Sequence, residues 1–462
     1  MTTRSTGIGL LIGATFLCGL ATARAEEAPR PNIVMILADD LGWGDVGWHG
    51  SEIKTPNLDR LAESGARLEW FYAQPLCSPT RAALMTGRYP MRLGLQVGVV
   101  KPWSRFGLPL DERTLPQALK DAGYETAIVG KWHLGHFQPE YLPTRRGFDH
   151  QYGCYNGMID SFTLKREGGH DWHRDDEESH DEGYSTHLIA REAVRLINEK
   201  DPARPLFLYV PFNAVHAPYQ APKKYHAANK DLMPASRRGY AAMVAAMDEA
   251  VGEIVAAIDA KGLRENTLIV FSSDNGGPYV GRATSNGPLR GEKSTLFEGG
   301  VRVAACASWP GRIPAGSVVD APLHVVDLYP TFVKLAGGAL DQPKPLDGRD
   351  AWDAVARGEP TPNATILLNS SPRGGAIRMG DWKLIVGRAV DAEGEAREEA
   401  RDLFLFNLAD DPNEKHDLSA DLPEKVAELR GRYDDLAAQA VPPKARPKPA
   451  SFHVPRVWGQ PD

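Results

Sequence analysis

The sequence predicts an α/β protein in which a mostly parallel mixed sheet lies between helices, followed by a small C-terminal α+β subdomain with an antiparallel sheet. Continuous apolar runs at 32–38, 205–212 and 267–273 are typical of parallel strands that are covered on both faces. Helical patterns separate these runs, and strands that alternate with helices over a long stretch predict a parallel sheet. After about residue 360 the strand-like segments become short and lie near turns, which predicts the second sheet.

Each predicted element depends on a local pattern. Pro56 suits the first turn of a helix and Gly65 its end, and the segment 236–261 carries one apolar stripe. In the large domain we predict strands at 32–38, 125–130, 205–212 and 267–273, and helices at 55–65, 115–122, 186–199 and 236–261. In the small subdomain we predict strands at 365–369, 375–379, 382–386 and 403–407, and a helix at 422–438.

These elements divide the chain into four predicted parts. They are a signal peptide at 1–25, the large α/β domain at 26–360, the α+β subdomain at 361–440 and a proline-rich tail at 441–462. Proline favours extended chain, so we expect the tail to lie over the surface or to be loose.

The N-terminus has the pattern of a secretory signal. Arg4 precedes an apolar run at 7–23, and Ala23-Arg24-Ala25 matches the small residues before a cleavage site. A membrane anchor is the alternative, but the run is short for a span and contains Gly and Thr. We therefore expect export by the secretory route to the periplasm or the extracellular space.

After cleavage the cysteines that remain are Cys77, Cys154 and Cys306. An odd number leaves at least one thiol unpaired, and the sequence does not decide whether Cys154 and Cys306 pair. The net charge of −7 argues against a nucleic-acid-binding protein, and 42% hydrophobic residues exclude wholesale disorder.

Polar side chains follow four of the predicted strands at their carboxyl ends. They are Asp39 and Asp40, Lys131 and His133, His216, and Asp274 with Asn275. Each alone could be a helix cap or a packed histidine. Because ligands of open α/β sheets bind outside the carboxyl ends of the strands, the four together predict one functional site.

The oxygen-bearing members of this set predict a metal ion. Carboxylate and amide oxygens suit Ca²⁺ or Mg²⁺ better than zinc, which prefers His and Cys. Crowded carboxylates repel each other, so we expect a divalent ion to hold Asp39, Asp40 and Asp274 together. The segment 170–180 (HDWHRDDEESH) also contains metal-binding residue types, but we predict a solvated loop there rather than a second metal site.

Cys77 begins the most specific motif of the chain. Pro79 and Gly87 suit the start and the end of a helix, which places Cys77 at a helix N-terminus. A capped helix with a chance cysteine, or a thiolate nucleophile activated by Arg81, would explain part of the stretch 77–88 (CSPTRAALMTGR) but not all of it. The stretch resembles the signature of the type I sulfatases, with Thr80 where serine is more usual.

Other motifs of that family follow in the same order. Similar segments are 39–43 (DDLGW), 130–135 (GKWHLG), 213–218 (NAVHAP), 274–276 (DNG) and 289–293 (LRGEK). The segments 49–56 and 142–149 resemble most closely the arylsulfatase B type, the N-acetylgalactosamine-4-sulfatases. The resemblance implies an alkaline phosphatase-like fold.

It also implies a mechanism. A formylglycine-generating enzyme would oxidise Cys77 to formylglycine (3-oxoalanine), whose hydrate attacks the sulfur atom. The implied metal ligands, for Ca²⁺ with Mg²⁺ possible, are Asp39, Asp40, residue 77, Asp274 and Asn275. Arg81 and Lys131 would hold the modified residue. His216 and Lys293 would bind the sulfate, and one of them would protonate the leaving alcohol. His133 would take the proton from the second hydroxyl of the hydrate.

The expected function is hydrolysis of sulfate monoesters on a sulfated glycan or an aryl sulfate, with no nucleic acid and, after signal cleavage, no membrane as partner. One alternative is a phosphate or phosphonate ester hydrolase of the same superfamily, because a metal and an oxyanion site would serve either ester. Another is a binding protein in which Cys77 is never converted.

Overall fold

The computed structural model describes residues 1–3, 7, 30–362, 365–371, 374–387 and 403–460. The apolar run of the predicted signal peptide lies outside the described residues. Among those that are described, none of the helices is both long and apolar enough to cross a bilayer.

The strands form one large sheet, one small sheet and two short pairs. The strands in chain order are β1 (Asn32–Ala38), β2 (Ala66–Leu68), β3 (Phe71–Tyr72), β4 (Glu125–Val129), β5 (His150–Gly153), β6 (Lys165–Arg166), β7 (Gly169–His170), β8 (His173–Arg174), β9 (Glu177–Glu178), β10 (Leu206–Pro211), β11 (Thr267–Ser273), β12 (Ala305–Ser308), β13 (Ser317–Val319), β14 (Leu323–His324), β15 (Thr365–Ser371), β16 (Gly374–Met379), β17 (Trp382–Gly387) and β18 (Leu403–Asn407). The helices are α1 (Pro56–Glu63), α2 (Cys77–Thr86), α3 (Leu115–Asp121), α4 (Ser185–Glu199), α5 (Lys223–Ala228), α6 (Ala235–Ala260), α7 (Glu298–Val301), α8 (Leu328–Leu335), α9 (Trp352–Arg357) and α10 (Pro423–Ala437).

The large sheet has the order β13-β2-β12-β11-β1-β10-β4-β5-β8-β9. Its centre, β11-β1-β10-β4-β5, is parallel, whereas β12, β8 and β9 pair antiparallel with their neighbours. The predicted mostly parallel mixed sheet is confirmed.

Helices cover both faces of this sheet. Alternate residues of β1 enter different cores: Ile33, Met35 and Leu37 pack in the core that contains α2, α3 and α8, and Val34 and Ile36 pack in the core that contains α1, α4 and α6. Burial on both faces explains why the strand is apolar without alternation.

The small sheet has the antiparallel order β15-β16-β17-β18, as predicted. One face packs with α10 through Leu384, Leu405 and Tyr433. The other packs on the large domain, where Ile385 and Phe406 share a cluster with Tyr72, Leu296 and Val301. The small sheet therefore lies directly against the segment 296–301.

The prediction of a solvated loop at 170–180 is wrong. The segment contains β8 and β9 at the edge of the large sheet and buries Asp171, Trp172 and His173 completely. The Asp171 carboxylate accepts hydrogen bonds from the backbone N–H groups of Tyr155 and Asn156, both at 2.9 Å. These two donors replace the water that the buried Asp171 carboxylate loses.

Candidate active site

The carboxyl ends of four neighbouring parallel strands meet at one edge of the sheet. Asp39 and Asp40 follow β1, Lys131 and His133 follow β4, His216 follows β10, and Asp274 and Asn275 follow β11. Since β11, β1, β10 and β4 are adjacent in the sheet, the structure brings together the residues that the sequence analysis selected. Asp40 and His133 both have positive φ, 65° and 59°, a strained conformation that is concentrated at functional sites.

A close backbone approach helps to place Lys131. Gly130 has φ of 135°, and a Cβ atom there would lie 1.9 Å from the Pro211 carbonyl oxygen. The backbone N–H of Lys131 donates to that same carbonyl at 2.7 Å. Glycine at 130 therefore allows the backbone after β4 to lie against the last residue of β10, where a side chain would clash.

Cys77 is the first residue of α2, and Gly87 ends that helix with φ of 64°, as predicted. Its Sγ atom lies 3.4 Å from Asp39 Oδ1 and 4.0 Å from Asp40 Oδ1. Burial and the nearby Asp274 carboxylate raise the pKa of the thiol well above its ordinary value. The unmodified residue is a neutral thiol here, which argues against the thiolate nucleophile considered from the sequence.

Asp39, Asp40, Cys77 and Asp274 can each place a ligand atom within 4.8 Å of the others. Among the described residues no other group of His, Cys, Asp and Glu side chains does so. The Asn275 amide nitrogen donates to Asp40 Oδ1 at 2.7 Å, and its amide oxygen is buried without a hydrogen-bond partner. An orphaned oxygen beside three carboxylates fits a hard cation such as Ca²⁺ or Mg²⁺.

Each carboxylate of this cluster already has a cationic partner. Arg81 donates to Asp274 Oδ2 at 2.8 and 3.2 Å, and Lys293 Nζ lies 2.7 Å from the Asp40 carboxylate. Lys131 pairs with Asp39, yet burial raises the pKa of Asp39 to about 7.

The cations Arg81, Lys131 and Lys293 also relieve the carboxylate repulsion from which the sequence predicted a metal ion. The stronger reason for an ion is the orphaned oxygen of Asn275. A divalent ion added to this balanced set would leave net positive charge, which suits an anionic ester.

His133 is held as a neutral base. Its Nε2 atom lies 3.0 Å from the Val100 carbonyl oxygen, so Nε2 donates and the buried Nδ1, which has no partner, is the free acceptor. Burial, followed by the positive charges of Lys131 and Arg81, lowers the pKa of His133 well below its ordinary value.

Sequence reasoning missed the residues that hold His133 in place. Ser78 Oγ donates to the His133 carbonyl at 2.9 Å and accepts from the Val100 N–H at 3.0 Å. The position of Ser78 beside Cys77 was the available signal, but its two partners come from distant parts of the chain.

His216 and Lys293 both approach Asp40. His216 Nδ1 donates to the Ala217 carbonyl at 2.6 Å, which leaves Nε2 3.5 Å from Asp40 Oδ2. Burial lowers the pKa of His216 to about 4. Burial alone would also lower the pKa of Lys293, but the Asp40 carboxylate raises it above its ordinary range. Near pH 7 the pair thus combines a neutral imidazole with an ammonium group.

The question of cysteine pairing is also answered. Cys77, Cys154 and Cys306 are all buried and free. No disulfide joins Cys154 to Cys306, and both thiols pack in the core that contains α1, α4 and α6.

Comparison with known proteins adds a second line of information. A family model described as Sulfatase matches residues 31–339. Arylsulfatase J of Mus musculus is 37% identical, over 96% of this chain and 83% of the mouse protein. N-acetylgalactosamine-6-sulfatase of Canis lupus familiaris is 38% identical, over 79% of this chain and 73% of its own length.

The solved structures agree with the sequence comparisons. The crystal structure of Ps i-CgsB in complex with k-i-k-neocarrahexaose has a TM-score of 0.82 and 34% identity, over 90% of this chain and 94% of that one.

Proposed function

The chain belongs to the sulfatase family and is a sulfuric ester hydrolase, and from that premise we propose that it desulfates a glycan with a nucleophile derived from Cys77 and with bound Ca²⁺. The observation that carries the proposal is the position of Cys77. It starts α2 beside Asp39 and Asp40, where Arg81, Lys131 and Lys293 lie close enough to act on its charge. Burial and Asp274 keep the thiol protonated at this place, whereas an aldehyde hydrate would offer one hydroxyl group to attack sulfur and a second whose proton can be removed to expel sulfate.

The surrounding residues divide into two sets. Arg81 and Lys131 are fully buried and fix Asp274 and Asp39, so they orient the groups around residue 77. His216 and Lys293 lie on the more open side, with side chains 18% and 15% exposed. We assign them to the sulfate group and to the leaving alcohol.

His133 is assigned to the proton of residue 77. It is neutral, its Nδ1 is free, and two contacts fix its ring and backbone. These properties support its use as the base that frees the product sulfate.

Asp39, Asp40, Asp274 and the Asn275 oxygen would hold the ion, with residue 77 as the further ligand. When bound, Ca²⁺ would polarise the nucleophilic oxygen and attract the anionic ester. Elemental analysis should find about one calcium per chain, and Asn275→Ala should lower calcium affinity while circular dichroism shows an unchanged fold. Calcium retained at wild-type affinity in that variant, or stoichiometric zinc, would contradict the ligand assignment.

The comparisons support a glycan substrate. One relative is named for N-acetylgalactosamine 6-sulfate chemistry, and one similar structure holds a neocarrahexaose. The N-acetylgalactosamine-4-sulfatase type inferred from the sequence stays a prediction.

A substrate screen tests the function directly. We expect desulfation of 4- or 6-sulfated N-acetylgalactosamine or of a sulfated carrageenan oligosaccharide, together with 4-nitrophenyl sulfate. The matched control is 4-nitrophenyl phosphate with phenylphosphonate esters. Faster turnover of the phosphorus esters would favour the alternative hydrolase, and no turnover of any ester would favour the silent binding protein.

We further propose that the chain is exported to the periplasm or the extracellular space and that a formylglycine-generating enzyme converts Cys77. The signal-like pattern at 1–25 and the Cys77 motif support these two points. N-terminal sequencing of protein recovered outside the cytoplasm should begin at Glu26; an intact N-terminus there would contradict cleavage.

A further inference from the structure

The C-terminal segment 441–460, here termed the C-terminal strap, crosses the surface beside the active site. It leaves α10 and follows the segment 91–103, with the backbone N–H groups of Val441 and Lys444 donating to the carbonyls of Met91 and Gly94. The indole N–H of Trp103 donates to the Arg446 carbonyl at 3.1 Å. The strap is therefore an ordered part of this surface.

The charge of the strap is opposite to that of the whole protein. Residues 441–460 contain Lys444, Arg446, Lys448 and Arg456 and no Asp or Glu, although the chain has a net charge of −7. Arg446 and Lys448 are exposed, and among the residues that the structure describes neither forms an ion pair with a carboxylate. Exposed cations without counter-charges favour an anionic partner.

The strap is joined to the active site by short connections. The segment 91–103, which contacts the strap, also contains Val100, whose carbonyl holds His133. In the same segment the Pro102 carbonyl lies 3.2 Å from His136 Nε2. Near the other end of the strap the indole N–H of Trp458 donates to the Arg166 carbonyl at 3.0 Å. The strap thus runs from Met91, past the segment that contains Val100, to β6.

At β6 the strap meets a cavity of about 360 Å³. Met158 and Pro218 line it together with both cations and carboxylates, namely Lys165, Arg166, Asp160 and Glu167, and Arg166 pairs with Glu167 at 3.1 Å. Met158 follows Gly157, where a Cβ atom would lie 2.5 Å from the His133 ring, and Pro218 is two residues after His216. The lining therefore includes residues one and two positions along the chain from Gly157 and His216.

Aromatic side chains lie between these cations. Lys448 Nζ lies 5.5 Å from the ring centre of Trp103 and 5.1 Å from that of Phe452, and Phe162, next to the cavity, is 47% exposed. Cations beside half-buried aromatic rings suit a polymer that carries sulfate groups on sugar rings.

We propose that the C-terminal strap is a docking track for a sulfated polysaccharide chain, whose scissile sulfate group enters the active site while neighbouring sulfates bind the exposed cations of the strap. This inference rests on the proposed function and makes it more specific: the substrate is a polyanionic chain, not an isolated sulfated monosaccharide.

Inhibition by dextran sulfate, a sulfated glucan, tests the track. It should compete with 4-nitrophenyl sulfate in the wild-type enzyme, and the double variant Arg446→Gln/Lys448→Gln should raise its Ki about fivefold, since two exposed charge contacts are lost. The salt dependence of Ki should also become weaker. Turnover and KM for 4-nitrophenyl sulfate should not change, because neither side chain lies at the site.

The matched control is Lys230→Gln/Lys261→Gln, which removes two exposed lysines next to and at the end of α6, in the opposite helical layer. It should leave the Ki unchanged. An unchanged Ki in the strap variant, an equal rise in the control, or equally strong inhibition by single-stranded DNA of matched charge would overturn the track. Failure of the wild type to hydrolyse any sulfate ester would instead refute the proposed function.

Discussion

At the scale of residues, the histidines of the site differ in the atom that each leaves free. A carbonyl fixes the Nε2 proton of His133 and the Nδ1 proton of His216, so His133 presents Nδ1 and His216 presents Nε2 as the acceptor atom. Both are neutral near pH 7 because burial lowers their pKa values. The His216 imidazole faces Asp40 and Lys293 on the open side, which is where a leaving group would depart.

These positions predict different responses to the leaving group. Lys293→Ala should lower kcat/KM about 100-fold or more for a sugar sulfate, whose alcohol needs the proton that the Lys293 ammonium carries near pH 7, but about tenfold or less for 4-nitrophenyl sulfate. His133→Ala should impair both substrates to a similar extent, because its proton belongs to residue 77 and not to the leaving group. Steady-state kinetics on the two substrates measure the difference; the reverse pattern would exchange the two roles.

At the scale of elements, the small sheet is attached through a buried ionic cluster. Lys383 of β17 lies 2.8 Å from Glu298 of α7 and 2.8 Å from Glu414, and all three side chains are fully buried. Arg290 donates to the Glu414 carbonyl at 2.9 Å and packs over Phe297. Because Lys293 lies in the same loop, the C-terminal subdomain supports the lysine that reaches Asp40.

The cluster predicts a pH dependence of stability. Burial raises the pKa of Glu414 to about 7, so between its unfolded value and 7 the folded chain holds a proton that the unfolded chain has lost. The contribution of this proton to the free energy of unfolding is present below the unfolded pKa of about 4.3 and is lost as pH rises through 7. The free energy of unfolding of Glu414→Gln minus that of the wild type should therefore increase from pH 5 to pH 8, as measured by urea unfolding.

The matched control for this experiment is Glu424→Gln, which changes an exposed glutamate in the first turn of α10. Its stability difference from wild type should stay nearly constant over the same pH range. A Glu414→Gln difference that shrinks or stays constant from pH 5 to pH 8 would show that Glu414 is ionised throughout.

Elements also show where the sequence was sufficient. The strand at 32–38 and the helix that begins at Cys77 were predictable because burial on both faces and helix-end residues leave local patterns. The hairpin at 173–178 was not predictable. The Asp171 carboxylate before it accepts hydrogen bonds from Tyr155 and Asn156, and the local sequence does not show these contacts. The pairing of Arg81 with Asp274 joins residues far apart in the chain and leaves no local pattern either.

At the scale of the whole molecule, local charge opposes net charge. The chain is acidic overall, yet buried cations surround residue 77 and an acid-free strap lies beside the site. Such an arrangement concentrates an anionic substrate at one place while the remaining surface repels it. The ends of the parallel strands supply the proposed metal ligands, α2 supplies residue 77, and the C-terminal subdomain supports Lys293.

The central claim is that sulfate ester hydrolysis depends on conversion of Cys77, and the direct test measures turnover against the converted fraction. The chain is produced with graded amounts of a formylglycine-generating enzyme, and mass spectrometry of the peptide containing residue 77 quantifies replacement of the thiol by an aldehyde. Turnover of 4-nitrophenyl sulfate should rise in proportion to that fraction and be absent in Cys77→Ala. Equal turnover by fully unconverted protein would contradict the account.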